Sequence, residues 1–135
     1  MDNTRKEFLE ALGYSPKAID ILDRELHIGD MPTPTAHVRH QAQCGDVLML
    51  SLRIEHDIIV DAVFQYAGCA GLQASASGMT EMILGMHVDE AERLDVPDII
   101  GFLEGIPENK YECAEASRNT LRKAIADYRA QRPAA

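Results

Sequence analysis

Apolar and polar residues alternate along two consecutive stretches in the middle of the chain. From Val47 to Glu55 nearly every second residue is a large aliphatic one, and the alternation resumes from Ile58 to Tyr66. A period of two places one set of side chains on a single face of a strand. The polar residues 55–57 lie between the two stretches, so the pattern predicts an antiparallel hairpin with one buried face. Residues 35–40 match the pattern more weakly and predict an edge strand.

Helical spacing of apolar residues precedes this hairpin. The segment Asn3–Leu12 has that spacing and is followed by Gly13, which predicts a short helix. A second helix is expected after Ser15, a good N-cap residue, with Pro16 at the first helical position. Pro32 and Pro34 then interrupt regular structure.

Helical spacing also follows the hairpin. The run from Cys69 to Gly85 has unusually small residues between its apolar positions, which permits close packing against a sheet. Shorter helices are expected at 89–93 and from Pro97, and a last helix of about five turns follows from Cys113 to Tyr128. Because strands cluster early and helices late, the fold class predicted is α+β. We expect a small three-stranded antiparallel sheet with helices packed on it, in a single domain spanning residues 1–135.

Charge and composition exclude several classes of partner. The chain has 13 Lys and Arg against 22 Asp and Glu, for a net charge of −9, which disfavours binding to nucleic acid. No apolar run approaches the roughly 20 residues that a membrane-spanning helix needs. Three widely spaced cysteines do not indicate a disulfide framework, so we expect a reducing, cytoplasmic location.

The three cysteines are the main candidates for chemistry. Cys69 and Cys113 lie near the starts of predicted helices, where the positive end of the helix dipole is expected to favour the thiolate form. Asp46, two residues after Cys44, is expected to point toward the same side as Cys44. Three thiolates and one carboxylate suit either a tetrahedral zinc ion or an iron–sulfur cluster with one weak oxygen ligand. The alternative is that each cysteine is a small buried hydrophobe, because their wide spacing is not specific.

The five histidines form no metal-binding pair at helical spacing. His37 and His40 are three residues apart in the predicted edge strand, which places them on opposite faces. We therefore expect both to be solvated or hydrogen-bonded rather than to bind metal.

Three motifs resemble those of the iron–sulfur cluster assembly scaffolds of the NifU, IscU and SufU type. They are Cys-Gly-Asp at residues 44–46, the segment GCAGLQASASGMTE at 68–81, and GIPENKYECA at 105–114. The closing segment LRKAIADY at 121–128 and YSPKAIDI from Tyr14 are also similar. The resemblance covers roughly residues 14 to 130, and its middle motif is the most specific.

The resemblance implies that Cys44, Cys69 and Cys113 hold a transient 2Fe-2S cluster, with Asp46 as the ligand that keeps this cluster labile. Zinc is the alternative occupant of the same site. The implied partners are a cysteine desulfurase as sulfur donor and apo iron–sulfur proteins as acceptors. Cys113 is the implied sulfur acceptor, and the protein is expected to be a monomer or homodimer.

Two positions depart from the family pattern. Glu112 stands immediately before Cys113, where many members have histidine, and it either binds metal through oxygen or faces solvent at a helix start. The Pro-Pro-Val-Lys motif of chaperone recognition is Pro-Glu-Asn-Lys at residues 107–110, which argues against recognition by a dedicated Hsp70-type chaperone.

We therefore expect a scaffold and transfer protein rather than a turnover enzyme. The alternative is a zinc-dependent sulfurtransferase of the SufU type, which accepts persulfide sulfur. That branch usually has an extra segment between its second and third cysteines, and the chain has no room for one, so the scaffold branch is favoured. A structural zinc domain without sulfur traffic is the third possibility.

Overall fold

A computed structural model describes residues 1–131. Six α-helices, one short 3-10 helix (Glu108–Lys110) and three strands occur in this part of the chain. The helices are α1 (Asn3–Leu12), α2 (Pro16–Arg24), α3 (Ala70–Ile83), α4 (Val88–Glu92), α5 (Val96–Leu103) and α6 (Tyr111–Gln131), and the strands are β1 (Ala36–Gln41), β2 (Val47–Glu55) and β3 (Ile58–Ala67). The α+β class, the three antiparallel strands and the long C-terminal helix are as predicted.

The sheet has the order β1-β2-β3, and both pairings are antiparallel. The aliphatic set of β2 is buried, as the alternation predicts, and consists of Leu48, Leu50, Leu52 and Ile54. Phe64 and Ala62 of β3 lie in the same layer, opposite Leu50 and Leu52. These side chains of β2 and β3 are almost completely shielded from solvent, so this face of the sheet is covered by the helices.

Small residues make α3 the central helix of the covering layer. Nearly all of its faces are buried, because it packs against α2, α5, α6 and β3. A Cβ atom on Gly78 would lie 2.8 Å from Cδ2 of Leu103, so the close approach of α3 to α5 depends on the missing side chain. This close packing fixes the start of α3, where Cys69 lies.

Helix α1 is attached by a single buried residue of its apolar set. Leu9 is 5% exposed, whereas Phe8 and Leu12 are 64% and 50% exposed. The loop after α1 docks against the segment before α6: the backbone N–H of Ser15 donates to the carbonyl of Gly105, and a Cβ atom on Gly13 would lie 3.7 Å from Cα of Pro107. The N-terminal segment is thus tied to the region that leads to Cys113.

Two non-glycine residues in left-handed conformations form the turn of the β2–β3 hairpin. His56 and Asp57 have φ angles of 53° and 65°, the pattern of a type I′ turn, in which Asn-Gly is preferred. The Asp57 carboxylate accepts a hydrogen bond from the Tyr128 hydroxyl at 2.7 Å, which ties the turn to α6. The turn is therefore held by tertiary contacts rather than by its own sequence preference.

A residue held at positive φ costs about 1–3 kcal/mol, and asparagine tolerates this conformation well. We therefore expect His56→Asn to recover part of this cost and to stabilise the protein by roughly 0.5 kcal/mol. The free energy of unfolding in urea measures the effect. His56→Ala is the matched control: it also removes the imidazole but has no tolerance for positive φ, so it should be less stable than wild type. Equal stability of the Asn and Ala variants would contradict the backbone explanation.

Candidate metal centre

A tight hairpin turn places Cys44 and Asp46 in different environments. The N–H of Gly45 donates to the carbonyl of Ala42 at 3.0 Å, and Gly45 has a φ angle of 95°. This is a three-residue hairpin loop with glycine at its left-handed position. Cys44 lies at the tip of the turn and is exposed, whereas Asp46 is half-buried. The backbone carbonyl of Asp46 accepts a 2.8 Å hydrogen bond from the N–H of Ala42, which continues the pairing of the two strands.

The other two cysteines lie at the starts of α3 and α6. Cys69 is the N-cap residue of α3, with extended backbone angles of −85° and 173°, and its side chain makes no capping hydrogen bond. Cys113 lies in the first turn of α6 and is buried. Because α3 packs against α6, the two Sγ atoms are only 3.6 Å apart.

Three potential ligand atoms converge at this point. Within residues 1–131, one oxygen of Asp46 and the Sγ atoms of Cys69 and Cys113 all lie within 4.8 Å of one another. The separation of Cys69 Sγ from Asp46 Oδ2 is 3.9 Å. Tetrahedral zinc bonds of about 2.3 Å to sulfur and about 2.0 Å to oxygen would set the sulfur–sulfur separation near 3.8 Å and the sulfur–oxygen separation near 3.5 Å. The observed separations therefore fit ligands of a single metal ion.

Gly68 makes room for the carboxylate. A Cβ atom on Gly68 would lie 2.9 Å from both Cγ and Oδ2 of Asp46 and 2.8 Å from Cδ2 of Leu72. No real Cβ contact is this short, so any side chain at position 68 would displace Asp46 from the sulfur atoms. The sequence motif contains Gly68, but the reason for glycine there is visible only in three dimensions.

Burial dominates the protonation of Cys113. The pKa of Cys113 is raised to about 12, mainly because the buried thiol loses solvation and further because of its hydrogen bond with Cys69 and the charge of Cys69. The positive charge of Lys110 lowers this pKa, but by less. The prediction that the start of α6 favours a thiolate at Cys113 is thus wrong for the metal-free protein. Two thiolates and a carboxylate so close together require a cation to compensate their charge.

Tyr14 is a neighbour of the site that sequence reasoning missed. Its side chain is 5% exposed, and its pKa is raised to about 12, first by burial and then by the nearby charges of Cys69 and Cys113. The phenol therefore stays protonated beside the two sulfurs. The segment around Tyr14 carries a sequence resemblance, but nothing in the sequence places this ring next to the cysteines.

A cavity of about 380 Å³ opens beside the converging ligands. Cys44, the fourth predicted ligand, lies on its wall but outside the close group of three. Glu112, the acidic residue in place of histidine, also lines the cavity and is exposed. The structure thus brings Asp46, Cys69 and Cys113 together and leaves Cys44 and Glu112 at the rim.

The histidines of β1 lie on opposite faces, as predicted. His37 is exposed on the outer face of the sheet, and its Nδ1 forms a 2.8 Å hydrogen bond with the Ser51 hydroxyl. His40 is half-buried on the helix side and lines the cavity. The two rings therefore have different surroundings, although they are only three residues apart.

A known protein family matches most of the chain. The family model of the NifU-like N-terminal domain matches residues 13–135. The chain belongs to the NifU-like N-terminal domain family. Members of this family include iron–sulfur cluster assembly scaffolds, which the sequence motifs predict.

The relatives of this chain are of two different lengths. NifU of Azotobacter chroococcum is 36% identical over 120 residues, which are 87% of this chain and 36% of that protein. The chain thus spans little more than a third of the NifU relative. IscU of Escherichia coli, named as an iron–sulfur cluster assembly scaffold protein, is 33% identical over 128 residues, which are 91% of this chain and 99% of IscU.

Solved structures share the fold. FiSufU of Fervidobacterium islandicum, which is described as a scaffold protein for the SUF system, superposes with a TM-score of 0.70 at 25% identity and covers 83% of this chain and 96% of its own. A NifU-like N-terminal protein of Brucella abortus gives a TM-score of 0.73 at 16% identity, with 87% and 95% coverage, and shows likeness of fold alone.

In residues 1–131 of this NifU-like domain, no helix is both long enough and apolar enough to cross a bilayer.

We expect Gly68→Ala to destabilise the metal-free protein by about 1–3 kcal/mol, because the added methyl group overpacks the contact with Leu72 and Asp46. It should also weaken zinc binding, because Asp46 must move. Urea unfolding and a competitive zinc titration measure the two effects.

Gly101→Ala is the matched control for this variant. Gly101 lies in α5, and a Cβ atom there would meet nothing within 4 Å. It should leave zinc affinity unchanged and be neutral or stabilising, since alanine favours helix over glycine. Wild-type zinc affinity in the Gly68 variant would show that Asp46 does not need its observed position.

Proposed function

We propose that this chain is an iron–sulfur cluster assembly scaffold that receives sulfur from a cysteine desulfurase, builds a labile 2Fe-2S cluster, and passes this cluster to apo-proteins. The observation that carries the proposal is the convergence of Asp46, Cys69 and Cys113 within 4.8 Å, with Cys44 on the wall of the same cavity. Membership in a family that includes named scaffolds supports it. We place the protein in a reducing compartment, the cytoplasm, because its thiols are free.

The four proposed ligands suit a cluster that is transferred to another protein. Cys44, Cys69 and Cys113 offer soft thiolates, whereas Asp46 offers a harder oxygen that binds iron less firmly in a mixed site. Cys44 lies on an exposed turn, so one wall of the site opens without disturbing the buried helices. A scaffold needs ligands that are held firmly by buried helices together with ligands that release the cluster easily.

Sulfur arrives by exchange between sulfur atoms. A thiolate of the scaffold attacks the outer sulfur of the desulfurase persulfide, a new sulfur–sulfur bond forms on the scaffold, and the desulfurase thiolate leaves. Converting two such sulfurs to sulfide takes four electrons, of which two ferrous ions supply two as they become ferric. An external electron donor must supply the other two for each 2Fe-2S cluster.

Anaerobic reconstitution with ferric iron and sulfide tests the scaffold function. Wild type should develop the visible absorption of a cluster, and Cys69→Ser and Cys113→Ser should lose most of it. Asp46→Ala should retain the cluster but release it to an apo-ferredoxin at least about tenfold more slowly, because the weak oxygen ligand is gone. Transfer is followed by absorption and iron analysis.

Asp61→Ala is the control for the carboxylate, because Asp61 is an exposed acid on β3 far from the ligand group in the ladder. It should transfer its cluster at the wild-type rate. A colourless wild-type protein after reconstitution would sink the scaffold function, and faster release from Asp46→Ala would contradict the role given to Asp46.

A zinc-dependent sulfurtransferase is the second candidate. The sulfur–sulfur and sulfur–oxygen separations of 3.6 and 3.9 Å favour it, because they fit one tetrahedral ion. In this function zinc holds the site and one cysteine accepts persulfide sulfur. Cys113 is the acceptor that the family resemblance implies, but its thiol is buried, whereas Cys44 is exposed.

Transfer of labelled sulfur from a desulfurase distinguishes the two acceptors. We expect Cys44→Ser to lower sulfur acceptance by the zinc-loaded protein more than Cys113→Ser does, because the attacking sulfur must touch the partner's persulfide. Mass spectrometry of the cysteine peptides locates the label. Label confined to Cys113 would support the sequence-based prediction instead, and no label in any variant would exclude sulfur transfer.

A further inference from the structure

His40 lies on the same face of the sheet as Asp46. In the β1–β2 ladder His40 is opposite Leu48, and Asp46 precedes Leu48 by two residues. Side chains two apart in a strand share a face, so His40 and Asp46 are diagonal neighbours on the helix side. Diagonal neighbours of this kind are about 7–8 Å apart, within reach of an aromatic side chain. An ion bound to Asp46 is thus accessible to the His40 ring.

The cavity connects His40 with the ligand group. Its wall includes His40 from β1, Asp46 from the hairpin turn and Cys113 from α6, so no backbone element separates them. His27, His37 and His87 are hydrogen-bonded to other groups, whereas the His40 ring has no hydrogen-bond partner among residues 1–131. A half-buried imidazole without a partner has ring nitrogens available to a ligand.

The converging group supplies three ligands, and a closed tetrahedral site needs four. Neither Cys44, on the exposed turn, nor His40 belongs to the group of three, so either side chain must move to complete the site. Glu112 is exposed at the start of α6 and is an oxygen donor. An imidazole nitrogen is a better match than a carboxylate for a zinc or ferrous ion already held by two thiolates.

We propose that His40 is the fourth ligand of a single divalent metal ion bound by Asp46, Cys69 and Cys113, and that it supplies the imidazole absent at position 112. This inference rests on the proposed function, because it takes those three residues to be metal ligands. The single-ion state leaves the Cys44 thiol free at the surface. Cluster formation then requires Cys44 to replace His40 as a ligand.

Zinc titration of four single variants tests the assignment. His40→Gln should weaken zinc binding by at least about tenfold, the lower end of what loss of even an outer partner of a metal site costs. Cys113→Ser should weaken it further, whereas Cys44→Ser should stay within about twofold of wild type. His37→Gln is the matched control, because His37 is in the same strand on the opposite face, and it should bind zinc as wild type does.

A measurement on the wild-type protein removes any dependence on how the variants fold. In a long-range proton–nitrogen spectrum of the 15N-labelled metal-free protein, one equivalent of zinc should move a ring nitrogen of one histidine to the position of a metal-bound nitrogen. The shifted signal should be missing from His40→Gln and present in His37→Gln. Circular dichroism of each variant shows whether its fold is retained.

The outcomes separate this inference from the proposed function. If no imidazole signal moves when wild type binds zinc, or if Cys44→Ser loses zinc while His40→Gln keeps it, His40 is not the ligand, although the thiolate site stands. If wild type binds neither zinc nor a cluster, both proposals fall. Weakened zinc binding in His40→Gln and Cys113→Ser, with wild-type binding in Cys44→Ser and His37→Gln, supports the assignment.

Discussion

The site depends on an unfavourable arrangement of charge that the fold imposes on three side chains. Packing of α3 against α6 brings the sulfurs of Cys69 and Cys113 to 3.6 Å, and the missing side chain of Gly68 admits the Asp46 carboxylate beside them. Without a cation the protein responds by keeping the Cys113 thiol protonated, since burial raises its pKa to about 12. Metal binding must therefore expel protons as it compensates the charge. Packing of the buried core of α3 holds these three side chains together in the metal-free protein.

The elements themselves were largely predictable from the sequence. Alternation in Val47–Glu55 and helical spacing after Gly68 specify the hairpin and the central helix, because both elements bury one set of side chains with its own period. The motifs also selected Asp46, Cys69 and Cys113, which the structure brings together. The protonation of Cys113 was not predictable. Its position in a helix suggested a thiolate, but the depth of burial, which depends on the docking of α6, has the larger effect.

Other neighbours of the site could not be found from spacing along the chain. Tyr14 reaches the two thiols because the loop after α1 docks beside Gly105 and Pro107, a contact between residues about ninety apart. His40 was predicted to be an ordinary strand histidine, and the rule of alternation correctly separated it from His37. Alternation along β1 does not reveal the cavity, because one of its walls is formed by α6, which lies far away in the sequence. Residues that meet only after the helices pack on the sheet leave no local signal.

Helix α6 joins the candidate metal centre to the opposite end of the molecule. Cys113 is in its first turn, whereas Arg129 near its last turn forms ion pairs with Asp89 and Glu92, and Tyr128 holds the turn of the β2–β3 hairpin. Exposed ion pairs of this kind are screened by salt, in contrast to the buried packing around the sulfurs. The position of α6 therefore depends on buried packing at the Cys113 end and in part on salt-sensitive ion pairs at the Arg129 end, about 25 Å away along the helix axis.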